Sequence, residues 1–311
     1  MAIRPISKEL KAIAINELNE RTEKIEEDLL HLQEWFKKQP HLNVRPDDQW
    51  LVAFLRGCKW SLQRTKEKID YFYTLRTLIP DVFQNRDPLD PFIQNMLAKG
   101  IIYPLPNVED PNGPRIILWD YSVMDYNTIR FIDLFKLFFM TMEILMVEDD
   151  SFVVSGAEFV INYETVPPSF FLQFTPALTK KFIMCWQNAY PLRIKTMVSI
   201  NVPPALEKIY NIFCKPFCSQ KIQDRVHLYS SQNNDKAHAH IPKSVFPEEL
   251  GGRNSPRSEI IMQWKKKVES YRSWLLDDDK YCSNEQLRPE KPKTYDEEFD
   301  MEGTFRQLIL D

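Results

Sequence analysis

Glycine is scarce in this sequence, with seven residues in a chain of 311. No two of them have the spacing of a dinucleotide-binding fingerprint, and no glycine loop leads into a Lys-Ser/Thr pair that could cradle a phosphate. The Gly-x-Ser-x-Gly elbow of serine hydrolases and the His-Glu-x-x-His of zinc proteases are also absent. Only five histidines occur, and His238-x-His240 sits with Lys236 in a polar stretch that reads as a surface turn. The cysteines (Cys58, Cys185, Cys214, Cys218, Cys282) are few, odd in number and scattered, which suits neither a disulfide framework nor a tetrahedral zinc site. Cys214 and Cys218 would share one helical face, but no second pair or suitably placed histidine completes a metal site. These absences lead us to expect a non-enzymatic protein, with no cofactor and no metal, in a reducing cytoplasm.

Long apolar runs are missing as well. Phe131 to Val147 is the most apolar stretch, and Asp133, Lys136 and Glu143 interrupt it, so it would not cross a bilayer. The first twenty-one residues hold no apolar core of signal-peptide length. A net charge of −4 gives the chain no overall basic field for nucleic acid.

What is present is a globular balance, with 43% hydrophobic and 27% charged residues, and a high aromatic content of 13% that includes twenty Phe. The pattern predicts an α/β fold with a helical unit first. Ile25, Leu29, Leu32 and Phe36 recur at helical spacing, Trp50 to Leu55 forms a short apolar run, and Ser61 is placed to cap a helix carrying Ile69, Phe72 and Tyr73. A proline-studded join from Pro80 to Pro114 follows. Strands are then expected at Arg115–Tyr121, Ala157–Tyr163 and Ile194–Asn201, with a further one at Arg225–Tyr229. Helices over Phe131–Asp149 and Pro176–Ala189 alternate with them, as in parallel crossovers. A C-terminal helix carries Trp264, Val268 and Trp274. We place the units at 1–90 (helical), 91–276 (sheet-bearing) and 277–311, an acidic tail expected to be extended.

Two segments exceed what a simple core needs. On the helix from Phe131 to Val147 the charges fall on one narrow stripe, so it should have two covered faces, one against the sheet and the other against more protein or a ligand. Between residues 180 and 225 eight basic residues stand against two acidic ones, a local +6 that leaves −10 for the rest of a −4 chain. Inside this basic stretch Pro203 and Pro204 start, and Pro216 ends, a short amphipathic helix with Leu206, Ile209, Tyr210 and Phe213 aligned. It reads either as a movable lid or as a core-packed helix with a solvated lysine rim.

Several blocks resemble the CRAL-TRIO lipid-binding family, in particular its α-tocopherol and retinaldehyde carrier branch. They are Phe54-Leu55-Arg56-Gly57-Cys58-Lys59-Trp60, Asn112-Gly113-Pro114-Arg115-Ile116-Ile117, Tyr190-Pro191-Leu192-Arg193-Ile194-Lys195, Ile200-Asn201-Val202-Pro203, Lys215-Pro216-Phe217 with Lys221-Ile222, and Pro247-Glu248-Glu249-Leu250-Gly251-Gly252. The resemblance implies an N-terminal helical bundle followed by a CRAL-TRIO domain, a mostly parallel mixed sheet flanked by helices with a helical gate over an apolar pocket. It implies a cavity lined by Phe135, Phe138, Phe139, Met142, Ile161, Tyr190, Leu192 and Ile194. The gate would run from Val202 to Lys221 and carry Leu206, Ile209, Tyr210, Phe213 and Phe217. Phosphoinositide head groups would meet Arg193, Lys195, Lys221 and Arg225. Two departures stand out: Cys58 occupies a position where the tocopherol carrier has arginine, and Phe138 and Met142 replace two pocket serines, making the cavity drier. The implied function is intracellular binding and transfer of one tocopherol-, retinoid- or carotenoid-like lipid by a monomer, with release at phosphoinositide membranes. The rival readings are exchange of phosphatidylinositol or phosphatidylcholine, and membrane docking without transfer.

Overall fold

The computed structural model describes residues 3–107 and 109–299. Its first part is helical: α1 (Lys8–Leu18), α2 (Ile25–Phe36), α3 (Asp48–Gly57), α4 (Leu62–Leu78) and α5 (Pro80–Phe83). Capping follows the sequence. The carboxylate of Asp47 accepts from the Trp50 amide at 2.9 Å, and Ser61 caps α4. The apolar run Trp50–Leu55 is therefore a helix, buried all round at the centre of the unit. At its end Gly57 has no room for a side chain, because a Cβ there would come within 2.1 Å of the Pro191 carbonyl oxygen. That close approach holds the helical unit against the loop before β4.

The expected join is more ordered than its prolines suggest. Asp90 caps α6 (Pro91–Lys99), and a short strand, β1 (Ile102–Pro104), follows. After β2 (Arg115–Asp120) come α7 (Phe131–Glu148), α8 (Asp150–Val154), β3 (Ala157–Asn162), α9 (Pro176–Met184) and β4 (Ile194–Ile200). Next are α10 (Pro204–Ile209), α11 (Gln220–Gln223), β5 (Val226–Leu228), α12 (Arg257–Ser270), α13 (Arg272–Asp277) and α14 (Tyr295–Phe299). The five strands lie in sequence order, β1 antiparallel to β2 and all later neighbours parallel. Register sets two rows on one face, Ile117–Phe159–Met197–Val226 and Trp119–Ile161–Ser199–Leu228. The opposite face carries Leu118, Val160 and Val198, as the two-residue period requires.

Helix α7 is covered on both sides, by the sheet and its rings on one and by α3 and α5 on the other. Protein therefore supplies much of the second cover. Its one fully buried charge, Glu143, is met by Arg76 and Arg86, each at 2.7 Å, and accepts from the Tyr190 hydroxyl at 2.5 Å. Asp278 closes the cluster. It pairs with Arg76 at 2.5 Å, with Arg45 at 2.9 Å, and with Arg86. Burial alone would push the Asp278 carboxyl up, but Arg76, Arg86 and Arg45 together hold it below the usual carboxylate range.

This corrects the expectation of an extended segment after residue 276. The described part, 277–299, folds back over the helical unit. Ser283 and Phe299 are buried, Arg288 pairs with Asp70 at 2.8 Å, and Tyr71 donates to Glu298 at 2.9 Å. Composition indicated solvent exposure, but Asp278 is needed as a counter-ion inside. Residues 300–311, with Asp300 and Glu302 of the expected acidic tail, lie outside the described residues.

Replacing Asp278 by Ala leaves Arg76 and Arg86 sharing Glu143 alone and Arg45 with only the more distant Asp277. We expect a loss of about 3–5 kcal/mol in denaturant unfolding and faster proteolysis after residue 278. In the parent, stability from Asp278 is complete above the ordinary carboxylate value and drains away as pH falls through its lowered one. The Asp278→Ala protein should therefore lose less further stability on acidification below about pH 4.

Candidate functional site

A cavity of about 130 Å³ lies between the row-bearing face of the sheet, α7, α9 and the segment 204–222. The strands supply Trp119, Phe159, Ile161, Ile194, Met197 and Leu228. From α7 come Phe131 and Phe138, and α9 with the π-helical turn that follows it (Cys185–Ala189) gives Thr179, Phe182, Ile183 and Trp186. These four stand three, four and seven residues apart, one stripe of a helix. Ring packing is dense: Phe138 stacks on Trp119 at 5.5 Å, and Phe182 stacks on Phe135 at 4.2 Å. Among the described residues no Lys, Arg, His, Asp or Glu lines the cavity.

Of the eight expected lining residues, Phe138, Ile161 and Ile194 reach it. The other five do not. Phe135 stands behind Phe182, and Phe139 stacks on Tyr190 at 4.6 Å and packs on Phe83, facing the helical unit. Tyr190 turns away because its hydroxyl serves Glu143. Met142 is fully buried one turn beyond the cavity, and Leu192 is half-buried outside it. The rings of Trp119, Phe174, Phe182 and Trp186 are the main residues that sequence reasoning missed. The alternation in β2 and the stripe on α9 could have found Trp119, Phe182 and Trp186.

The expected gate forms one wall, with a shifted face. Leu206 and Tyr210 line the cavity, followed by Cys214, Cys218 and Ile222, whereas Ile209, Phe213 and Phe217 do not. A π-helical turn, Tyr210–Cys214, whose bonds close on the fifth residue, rotates the side chains that follow it, so that Cys214 rather than Phe213 faces inward. Burial pushes the Cys214 thiol up to about 12 and the Cys218 thiol to about 11, so both stay protonated at neutral pH. On the outer side Ile212 is 63% exposed, and Leu172 is 81% exposed on the turn Pro168–Gln173, which packs against α10.

The four expected head-group residues gather beside the end of this wall. Lys221 is exposed, and its ammonium is held below the ordinary lysine value by partial burial and by the nearby charges of Arg225, Lys59, Arg193 and Lys195. Arg193 donates to Glu17 at 2.9 Å and to the Val154 carbonyl, Lys195 lies 3.6 Å from Glu17, and Arg225 donates to the Ile194 carbonyl. An anion arriving here meets Lys59, Lys195 and Lys221 first and competes with Glu17 for Arg193. Lys59 and Lys221 also border a polar cleft of about 590 Å³ that includes Cys58 and Lys68. Burial lowers the Lys68 ammonium to about 8, and its three donors are taken by the carbonyls of Gln187, Asn188 and Tyr190. Lys68 therefore has no donor left for an anion entering this cleft.

A family model described as CRAL/TRIO domain matches residues 98–252, and one described as Pinta-like, UBA domain matches residues 21–93. The alpha-tocopherol transfer protein-like protein of Homo sapiens is 29% identical over 248 residues, which is 79% of this chain and 71% of its own. Clavesin-1 of Xenopus laevis is 26% identical over 241 residues, 77% of this chain and 71% of its own. The crystal structure of Sfh5 is 12% identical, with a TM-score of 0.47, over 86% of this chain and 100% of that one.

Phe138 touches Trp119, Phe139, Phe159 and Phe182 at the cavity wall. Phe138→Ala should cost about 3–5 kcal/mol of stability in urea titration. Because the enlarged space is apolar, benzene or a similar small arene should restore part of that loss in a thermal melt.

Proposed function

The chain belongs to the CRAL/TRIO lipid-binding family through residues 98–252, and from that premise we propose that it is a non-catalytic carrier that encloses one neutral lipid and exchanges it at anionic, phosphoinositide-bearing membranes. The observation that carries this is the position of the segment 204–222, which walls an apolar cavity on its inner side and ends in a cluster of five cations. A space of about 130 Å³ compares with an engineered cavity that holds benzene. Pockets for larger ligands run from roughly 300 Å³ upward. Taking up a lipid therefore means moving the wall outward and turning rings aside.

Opening in water would expose Leu206, Tyr210 and Ile222, at about 1.5–3 kcal/mol for each large apolar side chain. Against a bilayer those groups stay in an apolar medium. The outer tips Leu172 and Ile212 offer the first contact, and each basic residue near an anionic surface adds roughly 1 kcal/mol of attraction. Opening is in this way coupled to the membrane. Among the described residues no helix is long and apolar enough to cross one, which fits a peripheral encounter. The cysteines are all free, which fits a reducing, cytoplasmic setting. A phospholipid cargo fits less well, since its phosphate would enter a cavity without a single cation in its lining.

Transfer of a fluorescent tocopherol between vesicles tests this reading. The protein should accelerate transfer, more so when acceptor vesicles contain a phosphoinositide. Lys221→Ala and Lys195→Ala should each weaken vesicle binding about fivefold, an effect that rising salt erases. Vesicle binding without accelerated exchange would instead identify a docking module, and preferential exchange of phosphatidylcholine or phosphatidylinositol a phospholipid exchanger.

A further inference from the structure

The cavity is apolar in its surface yet holds three hydrogen-bonding groups that nothing answers. The indole nitrogens of Trp119 and Trp186 and the hydroxyl of Thr179 are buried without a hydrogen-bond partner among the described residues. All three residues line this one cavity, and they are 4%, 6% and 4% exposed in that order. An unmatched buried donor lowers stability, and native interiors carry few of them. Thr179 has a common helical alternative, a bond back to the carbonyl four residues earlier, as Thr141 makes to Leu137. It does not take it.

The three side chains all neighbour one ring, Phe182. Thr179 and Trp186 flank Phe182 on the same stripe, and both indoles lie against the Phe182 ring, Trp119 at 6.3 Å and Trp186 at 6.5 Å. Phe182 is half-buried and projects into the space where a ligand would lie. A ligand that turns this ring aside enters the space that these three side chains line.

An indole nitrogen can only donate, so the complementary ligand atom is an acceptor. It must also be uncharged, because no cation lines the cavity to balance an anion. Building on the carrier reading, we infer that the cargo is a neutral lipid bearing a carbonyl, ester or ether oxygen, which accepts from Trp119, Thr179 and Trp186. A pure hydrocarbon would leave these donors buried and unpaired in the complex, so the site discriminates against it.

A matched pair of ligands reads this out: farnesylacetone, and its isostere in which a methylene replaces the carbonyl oxygen. Binding to the full chain is followed by calorimetry. The ketone should bind about tenfold or more tightly than the hydrocarbon. Thr179→Val keeps shape and removes only the hydroxyl. It should lower ketone affinity about fivefold, leave hydrocarbon affinity unchanged, and keep or raise the ligand-free melting temperature, whereas a hydroxyl with a structural role would lower it. Thr179→Ser should retain the ketone preference, and Trp186→Phe should narrow it. Equal affinity for the two compounds, or a preference untouched by all three variants, overturns the inference and leaves the carrier reading standing. So does failure of the ketone to bind while the fluorescent tocopherol is still transferred. Failure of both binding and transfer removes the carrier reading and this inference with it.

Discussion

Helix α7 must be covered almost all the way round, and that requirement organises the molecule. Its charged residues are Asp133, Lys136, Glu143 and Glu148, and the rest is apolar apart from Thr141. No single sheet can bury such a surface, so a second layer has to come from elsewhere in the chain. The N-terminal helices provide it, and Glu143 fixes how they sit. An ionised carboxylate at 0% exposure is tolerable only with cations brought to it. Arg76 lies on α4 and Arg86 just beyond α5, so two points of the helical unit are tied to one point of α7. The two arginines then need further negative charge, which Asp278 brings from the C-terminal segment. One buried charge thus accounts for the docking of three stretches of chain.

The same site reaches towards the cavity. Tyr190, which donates to Glu143, ends the π-helical turn that carries Trp186 into the cavity wall. One end of the α9 wall is therefore held by the buried charge cluster. The opposite wall, 204–222, has no comparable anchor among the described residues. Its inner face rests on apolar contact, its outer face shows Ile212 to solvent, and its helix is interrupted by a π turn and by Pro216. Elements of low local stability are drawn from such segments. The fold places its strong electrostatic ties behind the cavity and leaves the side facing the basic cluster to weaker forces.

Much of this was legible in the sequence. Four parallel strands, the doubly covered α7 and the basic, proline-bounded segment follow from period, run length and charge, and the motif blocks fix the family. The errors have physical causes. Strand β1 is three residues long and ends on Pro104, too short for alternation to register. A period of 3.6 assigned Ile209 and Phe213 to the inner face of the wall. The observed row is Leu206, Tyr210, Cys214, Cys218, and the π turn at Tyr210–Cys214, which no residue in that stretch announces, puts Cys214 in place of Phe213. Tyr190 belongs to a recognisable motif, yet its hydroxyl is claimed by a carboxylate 47 positions away. The polarity of residues after 276 suggested solvent because the arginines that require Asp278 lie some two hundred positions earlier, at Arg76 and Arg86.

Cavity size and polarity together bear on how cargo could be both held and released. Aromatic rings fill most of the space that a lipid would need, so the closed protein is stabilised by its own side chains rather than by a permanent void. Ligand entry then exchanges ring–ring contact for ring–ligand contact, and the net gain from apolar burial is smaller than the ligand's own transfer from water would suggest. A modest gain suits a carrier, because a bilayer offers the same ligand a comparable apolar medium. In the proposed carrier, the neutral donors around Phe182 would refine this balance. Their bond to a ligand oxygen has no counterpart for a hydrocarbon, yet near the membrane interface the same oxygen can find water or head groups, so selectivity is gained without making release prohibitive. A buried cation would bind an anionic head group more strongly, but it would oppose departure by a desolvated ion pair. On this proposed reading, selectivity by uncharged donors inside and membrane attraction by cations outside would divide the two tasks between separate parts of the fold.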